Sequence, residues 1–193
     1  MFENLREYKI LLASKSPRRR ELLQQIRLPF SVVSLGGVEE KYPQGLPAHQ
    51  IPQYLSNLKS DAFMKSMHDN ELIITADTLV ILNGSVLGKP KNREEAVSML
   101  RRLSGKTHLV ITGVTISTLQ KRTTFSTETK VKFAELSDSD IEYYVDNFLP
   151  YDKAGAYGIQ EWIGCVAVEA IEGSFYNVMG LPVHQLIKEL RAF

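Results

Sequence analysis

Apolar residues follow two rhythms along this chain. Ile10, Leu11, Leu12 and Ala13 form a short unbroken run that reads as a strand buried on both faces, stopped at residues 14–17. Ser16 is placed to cap a helix opened by Pro17, with Leu22, Leu23 and Ile26 on its inner side. Residues 30–34 read as another short strand. Ile51, Tyr54, Leu55, Leu58 and Ala62 then recur at i, i+3, i+4, i+7 and i+11, the spacing of one helix face. Residues 72–82 are β-prone almost throughout, broken by Asp77, and Asn83-Gly84 ahead of residues 85–87 is a hairpin dipeptide. A helix capped by Asn92 follows, with Glu94 and Glu95 in its first turn and Val97, Leu100 and Leu103 inward. Arg101 and Arg102 stand near its end and Gly105 lies beyond it. Residues 108–119 and 123–135 are rich in Val, Ile, Thr and Phe, and predict two long antiparallel strands around Gln120-Lys121-Arg122. Ser137 with Asp140 reads as a capping box before Ile141, Tyr144, Val145 and Phe148, while Val183, Leu186, Ile187 and Leu190 predict a C-terminal helix. The pattern as a whole predicts an α/β fold with a central mixed sheet and flanking helices.

Length and composition narrow the picture. With 193 residues, 44% of them hydrophobic and 23% charged, the chain has the material for one soluble domain, or one domain with a small lobe, and not for a disordered segment. Lys and Arg number 23 against 22 Asp and Glu, a net charge of +1, which removes the bulk electrostatic case for nucleic-acid or membrane partners. The single Cys165 cannot form an internal disulfide or a Cys-based zinc site, so the cytoplasm is the default compartment. No apolar run approaches the ~18 residues of a membrane span, and the mixed charges of residues 1–9 do not resemble a targeting signal. Neither a Walker phosphate loop nor a dinucleotide glycine fingerprint is present, and the four histidines show no metal-ligand spacing. The Gly/Pro/Glu-rich residues 35–47 form a long loop of the kind that often carries function.

Several segments could carry chemistry. Ser14-Lys15-Ser16-Pro17-Arg18-Arg19-Arg20 sits at a strand-to-helix junction, where free backbone N–H groups and the positive end of the helix dipole already collect. Three arginines in that first turn are unfavourable until an anion arrives, which makes the segment a candidate phosphate receptor; the bland alternative is a capped, solvated basic turn. Consecutive arginines lie about 100° apart on a helix, so not all three can face one ligand. Asp77, inside Ile73-Ile74-Thr75-Ala76 and Thr78-Leu79-Val80, needs a cation, a metal or several donors. A bulge or strand end could satisfy it through backbone N–H groups, but the apolar flanks favour a functional carboxylate, able to bind Mg²⁺ or accept a proton from water. Lys59, at the edge of a helical apolar stripe, has the ordinary reading of a snorkelling lysine. Lys89, the Glu39-Glu40 pair and Asp152-Lys153 each have an equally plain surface reading. Gly155-Ala156-Tyr157-Gly158-Ile159-Gln160 and the glycine-bearing residues 173–182 allow close backbone approach, and Gln160 offers both a donor and an acceptor to a base edge.

Taken in order, these segments resemble the Maf family of nucleoside triphosphate pyrophosphatases over almost the whole chain. The match runs through Ser14-Lys15-Ser16-Pro17-Arg18-Arg19, Glu39-Glu40, Lys59, Ala76-Asp77-Thr78, Lys89-Pro90 and residues 152–160, ending in "AYGIQ". That ending resembles the branch acting on dTTP and UTP. The resemblance implies a single domain over residues 1–193, a twisted mixed sheet with flanking helices, and two lobes around a cleft, as in the inosine triphosphate pyrophosphatases. It also implies a homodimer that clears unwanted nucleotides, dependent on Mg²⁺ or Mn²⁺, with a link to septum formation. By motif position Asp77 matches the proton acceptor, and Arg19, Thr78 and Gln160 match specificity positions. Ser14, Arg18, Glu40, Lys59, Lys89 and Lys153 match the remaining polar positions, and Asp77 with Glu40 would hold the metal. The expected reaction releases pyrophosphate from dTTP or UTP, leaving the monophosphate; a nucleotide-binding regulator of division without hydrolysis is the alternative. Two positions depart from the family pattern: Trp162 after "GIQE", and Ser60-Asp61 after Lys59.

Overall fold

The computed structural model describes residues 2–34 and 36–193, so the expected loop is followed from Gly36, with Leu35 and Met1 outside the described residues. Strand β1 (Lys9–Ala13) is buried from Ile10 onward and pairs in parallel with β2 (Ser31–Val33) on one side and β3 (Glu71–Leu82) on the other. The parallel pairing explains the unbroken apolar run, because helices cover both faces of such strands. The second strand is shorter than its sequence suggests and largely exposed, as befits the edge of the sheet. Among the described residues the sheet has seven strands, ordered β2-β1-β3-β5-β6-β7, with β5 at Thr107–Ser117, β6 at Arg122–Phe133 and β7 at Val168–Glu172. β4 (Ser85–Leu87) pairs antiparallel with the end of β3, and β7 pairs antiparallel with β6, so the sheet is mixed as expected. Asn83 and Gly84 both take positive φ, the left-handed geometry that suits a two-residue hairpin.

The helices start where their caps predict. Ser16 Oγ accepts from the Arg19 N–H to open α1 (Pro17–Gln25), Asn92 caps α3 (Arg93–Leu103), and Ser137 and Asp140 form a complete capping box on α4 (Asp138–Phe148). Helix α2 spans Ile51–Met64 and α7 spans Val183–Ala192. Short α5 (Trp162–Ala167), β7 and α6 (Phe175–Met179) fill a stretch with no clear periodicity.

Two compact units emerge, interleaved along the chain: Met1–Asp77, Thr112–Thr127 and Gly180–Phe193 in the first, and Thr78–Ile111 with Glu128–Met179 in the second. In the first unit α2 lies directly on β5. A Cβ on Gly113 would stand 2.3 Å from the backbone of Pro52 and Gln53, so only glycine permits the approach. Hydroxyls stitch the same surface: Ser56 Oγ meets Thr115 Oγ1 at 2.8 Å, Ser60 Oγ meets Ser117 Oγ at 2.8 Å, and Thr75 Oγ1 donates to the Ser56 carbonyl at 2.7 Å. The departure at Ser60-Asp61 is thereby explained, Ser60 being a buried hydroxyl partner and Asp61 an outward ion pair with Arg122.

The core of the second unit contains an aromatic trio. His108 meets the Phe133 and Tyr157 rings edge-on, with centroids 4.9 and 5.4 Å away, and its Nε2 lies 2.7 Å from the Tyr157 hydroxyl. Burial lowers the His108 pKa from 6.5 to about 4. The unfolded chain therefore binds a proton near pH 6.5 that the folded chain refuses until about pH 4, so stability is lost as pH falls through that window. The expected loss, on the order of 3 kcal/mol, should be visible in urea unfolding between pH 7 and 4, and His108→Phe should flatten the slope. An unchanged slope in that variant would place the pH dependence elsewhere.

Candidate active site

Strand β1 delivers the chain to Ser14 and the N-terminus of α1, both in the first unit. Ser14 Oγ accepts two hydrogen bonds, from the Ser16 N–H at 3.2 Å and from Arg19 Nη1 at 3.3 Å. Its lone pairs are thus engaged, and its own proton is what the hydroxyl has left to offer, a donor suited to an anion. Arg19 is more constrained than a free phosphate clamp. Its Nε donates to the Gly180 carbonyl at 2.8 Å and its Nη1 to the Ala76 carbonyl at 2.8 Å. The guanidinium is a strut between α1, β3 and the turn before α7. Removal from water lowers its pKa, while Asp77 and then Glu40 pull upward against Arg18. Arg18, on the same helical turn, is half-buried.

Asp77 lies inside β3, away from both of its ends, and its partner is a cation. Lys59 Nζ, carried by α2, donates to Asp77 Oδ1 at 2.6 Å, and both side chains are about nine-tenths buried. The same Nζ stands 3.0 Å from Glu40 Oε1, so two carboxylates converge on one ammonium. Lys59 thus does not snorkel to water, as its place at the stripe edge suggests, but is the buried counter-ion of Asp77. Glu39, by contrast, points to Lys41 at 2.5 Å and stays exposed. Two carboxylates close enough to share one cation fit a hard divalent ion, which binds through one or two carboxylates and takes further oxygens from phosphates or water. Among the described residues no cluster of three or more His, Cys, Asp or Glu is arranged to hold a metal by itself.

The remaining expected residues belong to the second unit. Thr78 follows Asp77 on β3, Lys89 is exposed in the turn after β4, and Gln160 is exposed. The Gly155 N–H donates to the Gly88 carbonyl at 3.0 Å, which brings the Lys89 turn against the segment holding Lys153 and Gln160. Gly155 has positive φ, and a Cβ there would lie 3.0 Å from Val80. Lys153 is buried and bridges two acids, Asp152 at 2.7 Å and Glu161 at 3.1 Å, instead of forming the surface pair its sequence suggests. Glu161 carries no distinguishing signal in the sequence; it also accepts from the hydroxyl of the fully buried Tyr144. Trp162 rests edge-on against Tyr143, with ring centroids 4.9 Å apart, which accounts for the large residue there.

A family model described as Maf-like protein matches residues 9–193. A dTTP/UTP pyrophosphatase of Porphyromonas gingivalis is 52% identical over 195 residues, covering 100% of this chain and 98% of that protein. Proteins with the same name from Phocaeicola vulgatus and Parabacteroides distasonis are each 54% identical, covering 99% and 100% of this chain and equal shares of their own. Among solved structures, the Staphylococcus aureus Ham1 protein is similar with a TM-score of 0.54 at 18% identity, covering 94% of this chain and 98% of that one, a likeness of fold alone. No helix among the described residues is long and apolar enough to cross a membrane.

Proposed function

The chain belongs to the Maf family, and on that premise we propose that it hydrolyses dTTP and UTP to the monophosphate and pyrophosphate. The observation that carries the reading is the convergence of Asp77 and Glu40 on Lys59, in the unit that also presents Ser14 and the N-terminus of α1. Full-length relatives at 52% and 54% identity bearing the name dTTP/UTP pyrophosphatase supply the substrate class.

In this mechanism the Ser14 hydroxyl donates a hydrogen bond to a phosphate oxygen, and Arg18 and Lys59 balance the polyanion. Arg19 holds the Ala76 carbonyl, and with it the adjoining Asp77, in place. Asp77 Oδ1 is committed to Lys59, and the carboxylate accepts the proton of a water as the water attacks the α-phosphorus. The bond to the β-phosphate oxygen breaks, and pyrophosphate leaves with its electron pair. A Mg²⁺ or Mn²⁺ ion, held by Asp77 and Glu40, would neutralise phosphate charge when bound. Thr78 and Gln160 serve specificity, Gln160 offering the donor and acceptor that complement the carbonyl and N3–H of uracil and thymine. The same reading makes residues 1–193 one functional domain, acting as a cytoplasmic homodimer; sedimentation of the purified protein tests the dimer.

Product identity tests the reaction. Incubation with dTTP or UTP and Mg²⁺ should yield monophosphate and pyrophosphate in equal amounts, and EDTA should stop it. Release of orthophosphate with a nucleoside diphosphate would overturn the assignment, and activity indifferent to EDTA would remove the metal from it.

A further inference from the structure

We propose that Glu161, clamped between Tyr144 and Lys153, is the positioning residue that aims the Gln160 side chain; the inference rests on the reading of Gln160 as the group that recognises the base. Glu161 is the N-cap residue of α5, yet its side chain makes no cap hydrogen bond. Both of its oxygens are used elsewhere. Oε1 lies 3.1 Å from Lys153 Nζ, and Oε2 accepts the Tyr144 hydroxyl proton. Lys153 and Glu161 flank residues 154–160, so their ion pair closes that segment into a loop with Gln160 at its end.

A 3-10 turn at Ala154–Ala156 and the buried Tyr157 hold the first part of the loop, while Gln160 lies exposed beyond both. Gly155 and Ala156 both sit at positive φ, an uncommon state for alanine, which persists only where surroundings fix it. Tyr144 supplies a second tie, since its oxygen accepts from the Gly158 N–H at 3.0 Å while its proton goes to Glu161. Burial and the Glu161 hydrogen bond both raise the Tyr144 pKa, so the phenol remains a donor throughout the working pH range. Gly158 completes the arrangement. A Cβ there would stand 2.9 Å from Gln160 Nε2 and 2.9 Å from the Glu161 carboxyl carbon. The Gln160 amide and the Glu161 carboxylate therefore share the space over the Gly158 Cα, and the placement of one limits the other.

Removing the Glu161 carboxylate frees Lys153 to pair with Asp152 alone and leaves the Tyr144 hydroxyl without its acceptor. Gln160 remains chemically intact but loses its fixed aim. Small misplacements of a recognising group are costly, so the preference for dTTP and UTP over dGTP should fall by about 10- to 100-fold in Glu161→Ala, mainly through a raised KM for the pyrimidine nucleotides. Glu161→Gln, which retains an acceptor for Tyr144, should restore part of that preference.

The test measures kcat and KM on dTTP, UTP and dGTP, and inhibition by pyrophosphate, for the wild type, Gln160→Ala, Glu161→Ala, Glu161→Gln and Gln160→Ala/Glu161→Ala. The inference expects Glu161→Ala to match Gln160→Ala in lost preference, the double variant to lose no more, and pyrophosphate inhibition to hold. Additive losses, or uniform losses on every nucleotide and on pyrophosphate, would show a merely structural role and overturn it. Wild-type preference retained in Glu161→Ala, with preference lost in Gln160→Ala, overturns the positioning inference alone. Preference retained in Gln160→Ala overturns the base-recognition reading and the inference with it.

Discussion

Asp77→Asn is expected to lower kcat on dTTP and UTP by on the order of 10²- to 10⁴-fold, the range that a positioned general base contributes. The amide has nearly the volume of the carboxylate and still accepts from Lys59, so the fold of β3 should be kept. It is a poor base and a weaker ligand for a divalent ion. Titration calorimetry should therefore find dTTP binding reduced far less than turnover, with the remaining anion contacts at Ser14 and α1 unaltered. If the variant keeps most of the wild-type rate, the catalytic carboxylate lies elsewhere. Glu40 would then be the next candidate, because it shares Lys59 with Asp77 while Glu39 faces Lys41.

How far the sequence reveals such a site depends on whether a residue's role is local. The capping of α1 by Ser16, the α4 capping box and the Asn83-Gly84 turn are fixed by neighbours a few residues away, and each forms as its dipeptide or spacing predicts. Asp77 is also legible, because a carboxylate in an apolar strand demands a partner. Its partner is not legible: Lys59 lies eighteen residues earlier, and a stripe-edge lysine looks the same whether it reaches water or a buried acid. Arg19 shows the same limit. Its position in a basic turn suggests a phosphate clamp, and nothing local shows that its Nε and Nη1 also hold the carbonyls of Gly180 and Ala76, residues that only the tertiary fold brings near. Residues 162–179 carry no readable period because α5 and α6 are too short to repeat and β7 exists through pairing with β6, with a register shift at Lys132 and Phe133. Glu161, one position beyond the matched motif, has no sequence signal except a charge beside a glycine-rich loop; Tyr144 and Lys153 give that charge its meaning.

Lys59→Met should be the most destabilising change among the polar site residues. It retains most of the aliphatic stem and removes the ammonium on which Asp77 and Glu40 converge. Glu40 is half exposed and can turn to solvent, but Asp77 is held in β3 and would lose its hydrogen-bonded counter-ion, keeping only the charge attraction of Arg19. Breaking a buried pair from one side costs about 3 to 5 kcal/mol, much more than the ~0 to 1 kcal/mol of an exposed pair. For a chain of this size, each kcal/mol lowers Tm by about 2 to 4 °C, so a fall on the order of 10 °C is expected. Asp77→Asn in the Lys59→Met background should recover part of the loss, since a neutral amide no longer requires a counter-ion. Urea unfolding of the two single variants and the double variant gives the coupling directly. A cost below about 1 kcal/mol in Lys59→Met, or strict additivity in the double variant, would mean that Arg19 or water, and not Lys59, balances the Asp77 charge. The carboxylate would then stand ready for a metal without first displacing an ammonium, whereas strong coupling means that Lys59 must share or yield Asp77 each time a divalent ion enters.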